Sequence, residues 1–150
     1  MSVWFALAGM LYFFFNDQLH PNTAEKLSTG SVVTLERGMS GHYRAEVFIN
    51  GIKMPALVDT GATGVAISQR LANKLGIQSS SAIRTHTANG DTVAYVTRLG
   101  SVRLGGVEAR DVAAIITPSL KGDVLLGMSF LSRMDVRLHK GTMTIRAMTD

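Results

Sequence analysis

Asp59 is the residue of this sequence best placed to do chemistry. The segment Ala56-Leu57-Val58-Asp59-Thr60-Gly61-Ala62-Thr63-Gly64 runs apolar residues into one carboxylate and then into a glycine-rich turn. An apolar strand buries itself in a sheet, so Asp59 should emerge at the sheet's edge, where the protein rather than bulk water sets its surroundings. A carboxylate held there can take or give a proton, which is the work of general acid–base catalysis. The same residues also fit an Asx-turn, in which Asp59 accepts backbone N–H bonds and Gly61 supplies a positive φ.

Other chemistries have little to stand on. With no cysteine in 150 residues, disulfides, thiol catalysis and cysteine-ligated zinc are excluded. His20, His42, His86 and His139 lack metal-ligand spacing and are read as surface residues, so no metal site is expected. Gly127-Met128-Ser129 lacks the closing glycine of a nucleophile elbow, and Gly61-Ala62-Thr63-Gly64 lacks the spacing and lysine of a phosphate loop. The net charge of +4 is the balance of fifteen scattered Lys and Arg residues against eleven Asp and Glu. Phosphate tracking needs a concentrated basic face, and base stacking needs aromatics interleaved with it, so nucleic acid is not an expected partner.

The elements that must position Asp59 follow from patterning. Residues 3–15 (VWFALAGMLYFFF) are an unbroken apolar run. As a helix they span about 20 Å, short of a usual bilayer crossing, yet they are apolar on every face, so residues 1–17 are read as a short membrane anchor. Residues 18–40 hold Pro21, turn formers and little periodicity, and read as a tether. From Gly41 the period becomes two: Tyr43, Ala45, Val47 and Ile49 alternate with Arg44, Glu46 and Asn50. Asn50-Gly51 suits a type I′ hairpin turn, and Ile52, Met54, Ala56 and Val58 resume the alternation on the strand that carries Asp59.

Ala66-Ile67 is a short strand, and Ser68 opens a helix with Leu71, Ala72 and Leu75 on one face and Gly76 as its stop. Asn89-Gly90 turns a second, mostly polar hairpin between residues 83–88 and 91–99; Gly105-Gly106 turns a third, leading to the apolar run 112–116 before Pro118. Residues 123–127 (DVLLG) form another apolar run ending in glycine, a short helix is possible at 129–134, and Lys140-Gly141 turns a last hairpin. Many short strands and one convincing helix predict an all-β, barrel-like domain over residues 41–148.

An apolar strand ending in Asp59-Thr60-Gly61-Ala62, a polar hairpin after it, and Leu125-Leu126-Gly127 downstream resemble, in that order, the retropepsin-like aspartic proteases. The N-terminal apolar segment followed by His20-Pro21-Asn22 is similar to the bacterial membrane-anchored, single-domain members. The resemblance implies a closed barrel equivalent to half of an acid protease. It implies an aspartic endopeptidase acting on peptide or protein substrates without metal or organic cofactor. Two facing carboxylates share one proton, so one member serves as base and the other as acid. This chain has one Asp-Thr-Gly, and Asp91, Asp111, Asp123 and Asp135 lack a following Thr/Ser-Gly, so the partner carboxylate must come from a second copy about a two-fold axis.

By the same resemblance Asp59 is catalytic, Thr60 hydrogen-bonds across the axis, and Gly61 admits close backbone approach. Ala62 and Thr63 line the substrate groove, Asn89 and Gly90 sit in the flap, and Leu125, Leu126 and Gly127 pack beneath the active-site loop. The acidic residue that viral members carry near the position of Thr63 is missing, so their substrate preference does not transfer. The alternative is a non-catalytic module of this fold that binds peptides or assembles a membrane complex. The resemblance puts the domain on the periplasmic side of a bacterial inner membrane, whereas Lys26 and Arg37, which follow the apolar run, favour the cytoplasm.

Overall fold

Alternating apolar residues build strands that curl until they close on themselves. The computed structural model describes residues 32–79, 81–87 and 90–148. In chain order the elements are β1 (Val32–Glu36), β2 (Tyr43–Ile49), β3 (Ile52–Val58), β4 (Val65–Ile67), α1 (Gln69–Leu75), β5 (Ala82–Thr87), β6 (Gly90–Leu104), β7 (Val107–Ile116), β8 (Val124–Leu126), α2 (Met128–Leu131), β9 (Met134–His139) and β10 (Thr142–Ala147). The large sheet has the order β2-β3-β8-β4-β7-β6-β5, and β2 also pairs with β6, so six of its strands form a closed ring. Only β5 hangs outside the ring, attached to β6.

The β2–β3 hairpin shows how local chemistry starts the fold. Asn50 and Gly51 take φ values of 47° and 84°, the left-handed pair a type I′ turn needs, and Ile49 pairs with Ile52 across it. That register sends Ala45, Val47, Ile49, Met54, Ala56 and Val58 into the core. Asn50 then helps close the barrel: its N–H donates to Ser101 O and its side-chain oxygen accepts from Ser101 N, each at 3.0 Å. Beside it the Arg103 guanidinium lies 4.2 Å from the centre of the Phe48 ring, to which it is cross-strand paired.

Parallel pairing brings distant segments beneath Asp59. β8 runs parallel to β3, with Val58 opposite Leu126, and antiparallel to β4 on its other side; β4 in turn runs parallel to β7. Val58, Val65, Ile67, Val124 and Leu126 are all buried there. Fully burying each such side chain contributes roughly 1.5–3 kcal/mol, so this central trio is a stable platform. Helix α1 begins as expected, with the Ser68 hydroxyl accepting from Leu71 N at 3.1 Å, and ends at Gly76 with φ 68°.

The β6–β7 hairpin changes faces halfway. Leu99, Val112, Ala114 and Ile116 point inward on one side of the Gly100–Asp111 level, and Val102, Leu104, Val107 and Ala109 on the other, so the inward parity reverses in both strands. Asp111 accommodates the reversal with φ 51°, a conformation Asp tolerates better than most residues. Two arginines hold it: Arg98 donates to the Asp111 carboxylate at 2.5 Å and to its carbonyl at 2.9 Å, and Arg133 donates to that carbonyl at 2.8 Å.

Five expectations need correction. Residues 32–36, expected in the tether, form β1, which pairs with β10 in a second sheet of order β1-β10-β9; Val33 and Leu35 are buried by it, so the folded unit starts before residue 41. Arg44, expected on the exposed face of β2, is instead buried, at 9% exposure. Residues 90–104 are one continuous strand rather than two, with its two halves serving different neighbours. Gly90 is the first residue of β6, paired with Thr87, rather than a turn centre. The second helix covers Met128–Leu131 instead of 129–134, since Met134 already pairs with Ala147. The apolar run at 3–15 lies outside the described residues, and among those described no helix is long and apolar enough to cross a membrane.

Candidate active site

Asp59 continues the β3–β8 ladder by one residue, its N–H donating to Leu126 O at 3.0 Å. The chain then turns sharply: Ala62 N donates to Asp59 O at 3.3 Å, and Gly61 N donates to Asp59 Oδ1 at 2.8 Å. The Asx-turn hydrogen bond forms as expected, but Gly61 does not take the positive φ expected of it, and the bond leaves a proton-transfer role for Asp59 open. The turn fixes one carboxylate oxygen, which orients the group, while Asp59 remains half-buried and its neighbours Thr60 and Gly61 are exposed. A Cβ on Gly61 would lie 3.1 Å from Asp59 Oδ1, so this glycine lets the loop fold back on its own carboxylate.

The tightest constraint comes from Gly127. A Cβ there would fall 2.2 Å from Gly64 O and 2.7 Å from Ala62 O, both backbone atoms that have nowhere to go. The absent side chain lets the start of α2 press against the loop, and Met128 N donates to Ala62 O at 2.8 Å. Leu126 is fully buried below the loop, whereas Leu125 is half-buried and lines the groove. The Leu-Leu-Gly segment thus serves the core with one leucine and the groove with the other, as period two requires.

Ser129, which in the sequence only starts a possible helix and sits in a motif without a nucleophile elbow's closing glycine, is a structural hub. Its hydroxyl donates to Ala113 O at 2.7 Å and accepts from Val65 N at 2.9 Å, joining α2, β7 and the start of β4. No local pattern announces this role, because all three partners meet only after the sheet assembles.

Beside the loop runs an open groove of about 660 Å3. Its floor follows one cross-strand row, Leu125, Ala66, Ile115 and Val96, each paired with the next and therefore on one face of the sheet. Gly61, Ala62, Thr63 and Gly64 form the wall nearest Asp59, and Thr85 and His86 of the β5–β6 hairpin form the opposite one. Ala62 and Thr63 are thus brought to the groove; Thr60 is on the exposed tip of the loop; Gly90 is at the base of the hairpin tip, and Asn89 lies outside the described residues. Among the described residues no group of three or more His, Cys, Asp or Glu is placed to hold a metal ion.

Residues 45–133 match the family described as "gag-polyprotein putative aspartyl protease". Two curated relatives are an uncharacterised protein of the cobV 5′ region of Sinorhizobium sp., 32% identical over 69% of this chain and 46% of its own length, and an uncharacterised protein of Rickettsia prowazekii (strain Madrid E), 30% identical over 77% and 50%. The chain thus spans about half the length of the curated relatives it matches. Among solved structures, a retropepsin-like aspartic protease from Rickettsia conorii is similar with a TM-score of 0.66 at 30% identity, covering 78% of this chain and 91% of that one. With a family match across more than half its length and that shared fold, this chain belongs to the retropepsin-like aspartic proteases.

Proposed function

We propose that the protein is a homodimeric aspartic endopeptidase whose active site is completed by two copies of Asp59, one from each subunit. The observation that carries this reading is the loop itself: one oxygen of the Asp59 carboxylate is fixed by Gly61 N, on an exposed turn beside an open groove of about 660 Å3. A single chain supplies half of the acid–base pair. Across a two-fold axis the ionised carboxylate takes a proton from water as its oxygen attacks the peptide carbonyl. The protonated partner donates to the developing oxyanion, and a proton then passes to the leaving amine.

The decisive variant is Asp59→Asn, which keeps shape and removes the base. Peptide cleavage assayed at roughly pH 4–6, where a shared-proton pair operates, should fall by about 10²–10⁴-fold while sedimentation still reports a dimer. Undiminished cleavage by that variant sinks the reading. A wild-type dimer that binds peptides in the groove and cleaves none supports instead a binding or assembly module.

The apolar run at residues 3–15 is part of the same proposal, as a membrane anchor that holds the domain on the periplasmic side of a bacterial inner membrane. Externally added protease should then degrade the domain in intact spheroplasts. Protection would place it in the cytoplasm, and recovery of the full chain in the soluble fraction would remove the anchor.

A further inference from the structure

Where β7 runs out, the groove holds a hydroxyl with nothing to bond. Thr117 Oγ1 is buried without a hydrogen-bond partner, and the residue is 6% exposed. Its direction follows from the ladder. Thr117 N donates to Ile67 O at 2.9 Å, which carries the β4–β7 pairing one step beyond Ile116. Period two then groups Thr117 with Ala113 and Ile115, which line the groove, and sets it against Ala114 and Ile116, which belong to the core. Thr117 itself is part of the lining, as is Leu120, whose N donates to Thr117 O at 3.1 Å on the turn back toward β8. Both backbone groups of Thr117 are thus satisfied and its hydroxyl is left over. A threonine that opens a turn commonly bonds the backbone of that turn, and this one does not. The next hydroxyl across β4, that of Ser68, is committed: it accepts from Leu71 N at 3.1 Å and donates to Asp123 Oδ1 at 3.4 Å. A buried hydroxyl without a partner is costly, and valine would fill the same space without that cost. Local costs of this kind gather at binding sites.

We propose that Thr117 is a specificity-determining residue of the groove, whose hydroxyl selects, at one position of the peptide, a neutral side chain that hydrogen-bonds through a hydroxyl or a carboxamide. The inference rests on the peptide-groove reading above. No Asp, Glu, Lys or Arg among the described residues lines the groove, so a charged side chain would be buried there uncompensated, and an aliphatic one would leave Thr117 without its bond. The threonine hydroxyl both donates and accepts, so it serves Ser, Thr, Asn and Gln alike. Access comes by a rotamer change at Leu120, which is half-buried and stands on a turn whose Pro118 and Ser119 are exposed.

The test uses matched peptides that carry Thr or Val, and Gln or Met, at successive positions around a cleaved bond; the members of each pair are alike in size and differ in hydrogen bonding. Cleavage by the wild-type protein and binding to the Asp59→Asn protein are both measured. At one position the polar member should be preferred about two- to tenfold, the worth of one net hydrogen bond. Thr117→Ser, which keeps the hydroxyl, should retain that preference, and Thr117→Val, which keeps the shape, should abolish or invert it. Thr117→Val should also unfold at the same urea concentration as the wild type or a higher one, because the hydroxyl it loses bonds nothing in the free protein. A lower urea midpoint for Thr117→Val would show that the fold uses the hydroxyl, and it overturns the inference. So does a preference that survives in Thr117→Val or is lost in Thr117→Ser, no position with such a preference, or no binding of any peptide. Cleavage without the preference sinks this inference alone, whereas the preference in binding without Asp59-dependent cleavage sinks the peptidase reading alone.

Discussion

The two walls of the groove are built on opposite plans. The Asp59 loop is locked by backbone: Asp59 N to Leu126 O, Met128 N to Ala62 O, and Gly127 pressed against two carbonyls with no space for a methyl group. The β5–β6 hairpin facing it is held along β5 by one neighbouring strand, and Ile83, Val93 and Val96 on it are substantially exposed. Local stability follows buried contact, so the loop is the stiff wall and the hairpin the yielding one. That division is the one the peptidase proposed above would need, with a preorganised proton-transferring group on the stiff wall and the more mobile wall facing it.

The strongest way to break the contrast is Gly127→Ala. Its methyl group would meet backbone oxygens at 2.2 and 2.7 Å, so the variant should lose about 3 kcal/mol or more in urea unfolding, or fail to fold. Gly64→Ala is the control in the same loop, since its methyl group would approach nothing nearer than Ser129 Oγ at 4.0 Å, and it should change stability by less than about 0.5 kcal/mol. Equal damage from the two would show that the loop is held by something other than this close approach.

Ser129→Ala comes next. It leaves Val65 N and Ala113 O without the hydroxyl that joins them, at a cost of about 1–3 kcal/mol. Hydrogen exchange should accelerate at Val65 more than at core strand residues such as Val47; uniform acceleration would mean that Ser129 supports the whole fold rather than this wall.

At the small end stand the exposed features. Valine-to-serine substitution at Val93, on the hairpin, should shift stability by no more than about 0.5 kcal/mol. The Asp111 corner has a pH signature. The hydrogen bond from Arg98 holds the Asp111 carboxyl below its ordinary value. A carboxylate lowered in the folded state stabilises fully above its unfolded pKa, and that contribution is lost as pH falls through the lower, folded value. In Arg98→Gln the extra stability between neutral and strongly acidic pH should therefore shrink, read as a shallower dependence of the unfolding midpoint on pH. An unchanged dependence would assign the acid sensitivity elsewhere.

Much of the site was legible because it is written in local rules. Asn50-Gly51 and Lys140-Gly141 turn where their left-handed φ values demand, Ser68 and Gly76 cap their helix, and period two sends Val58 inward so that Asp59 emerges at the end of β3. Less visible was anything that depends on what lies across a strand. Arg44 has the alternation of an exposed residue and is buried; Ser129 looks like an idle serine and ties three elements; Gly100 and Asp111 reverse the inward face of two strands with no break in either.

By itself, then, the sequence determined the hairpins, the capped helix and the delivery of one carboxylate into a glycine turn, since backbone sterics and residue period act over a few neighbours. Only the tertiary structure decided that β8 slips between β3 and β4, that Gly127 yields its side chain to the Asp59 loop, and that β1 joins β10. Parallel pairing and close backbone approach join segments far apart in the chain, and their geometry exists only once the barrel has closed.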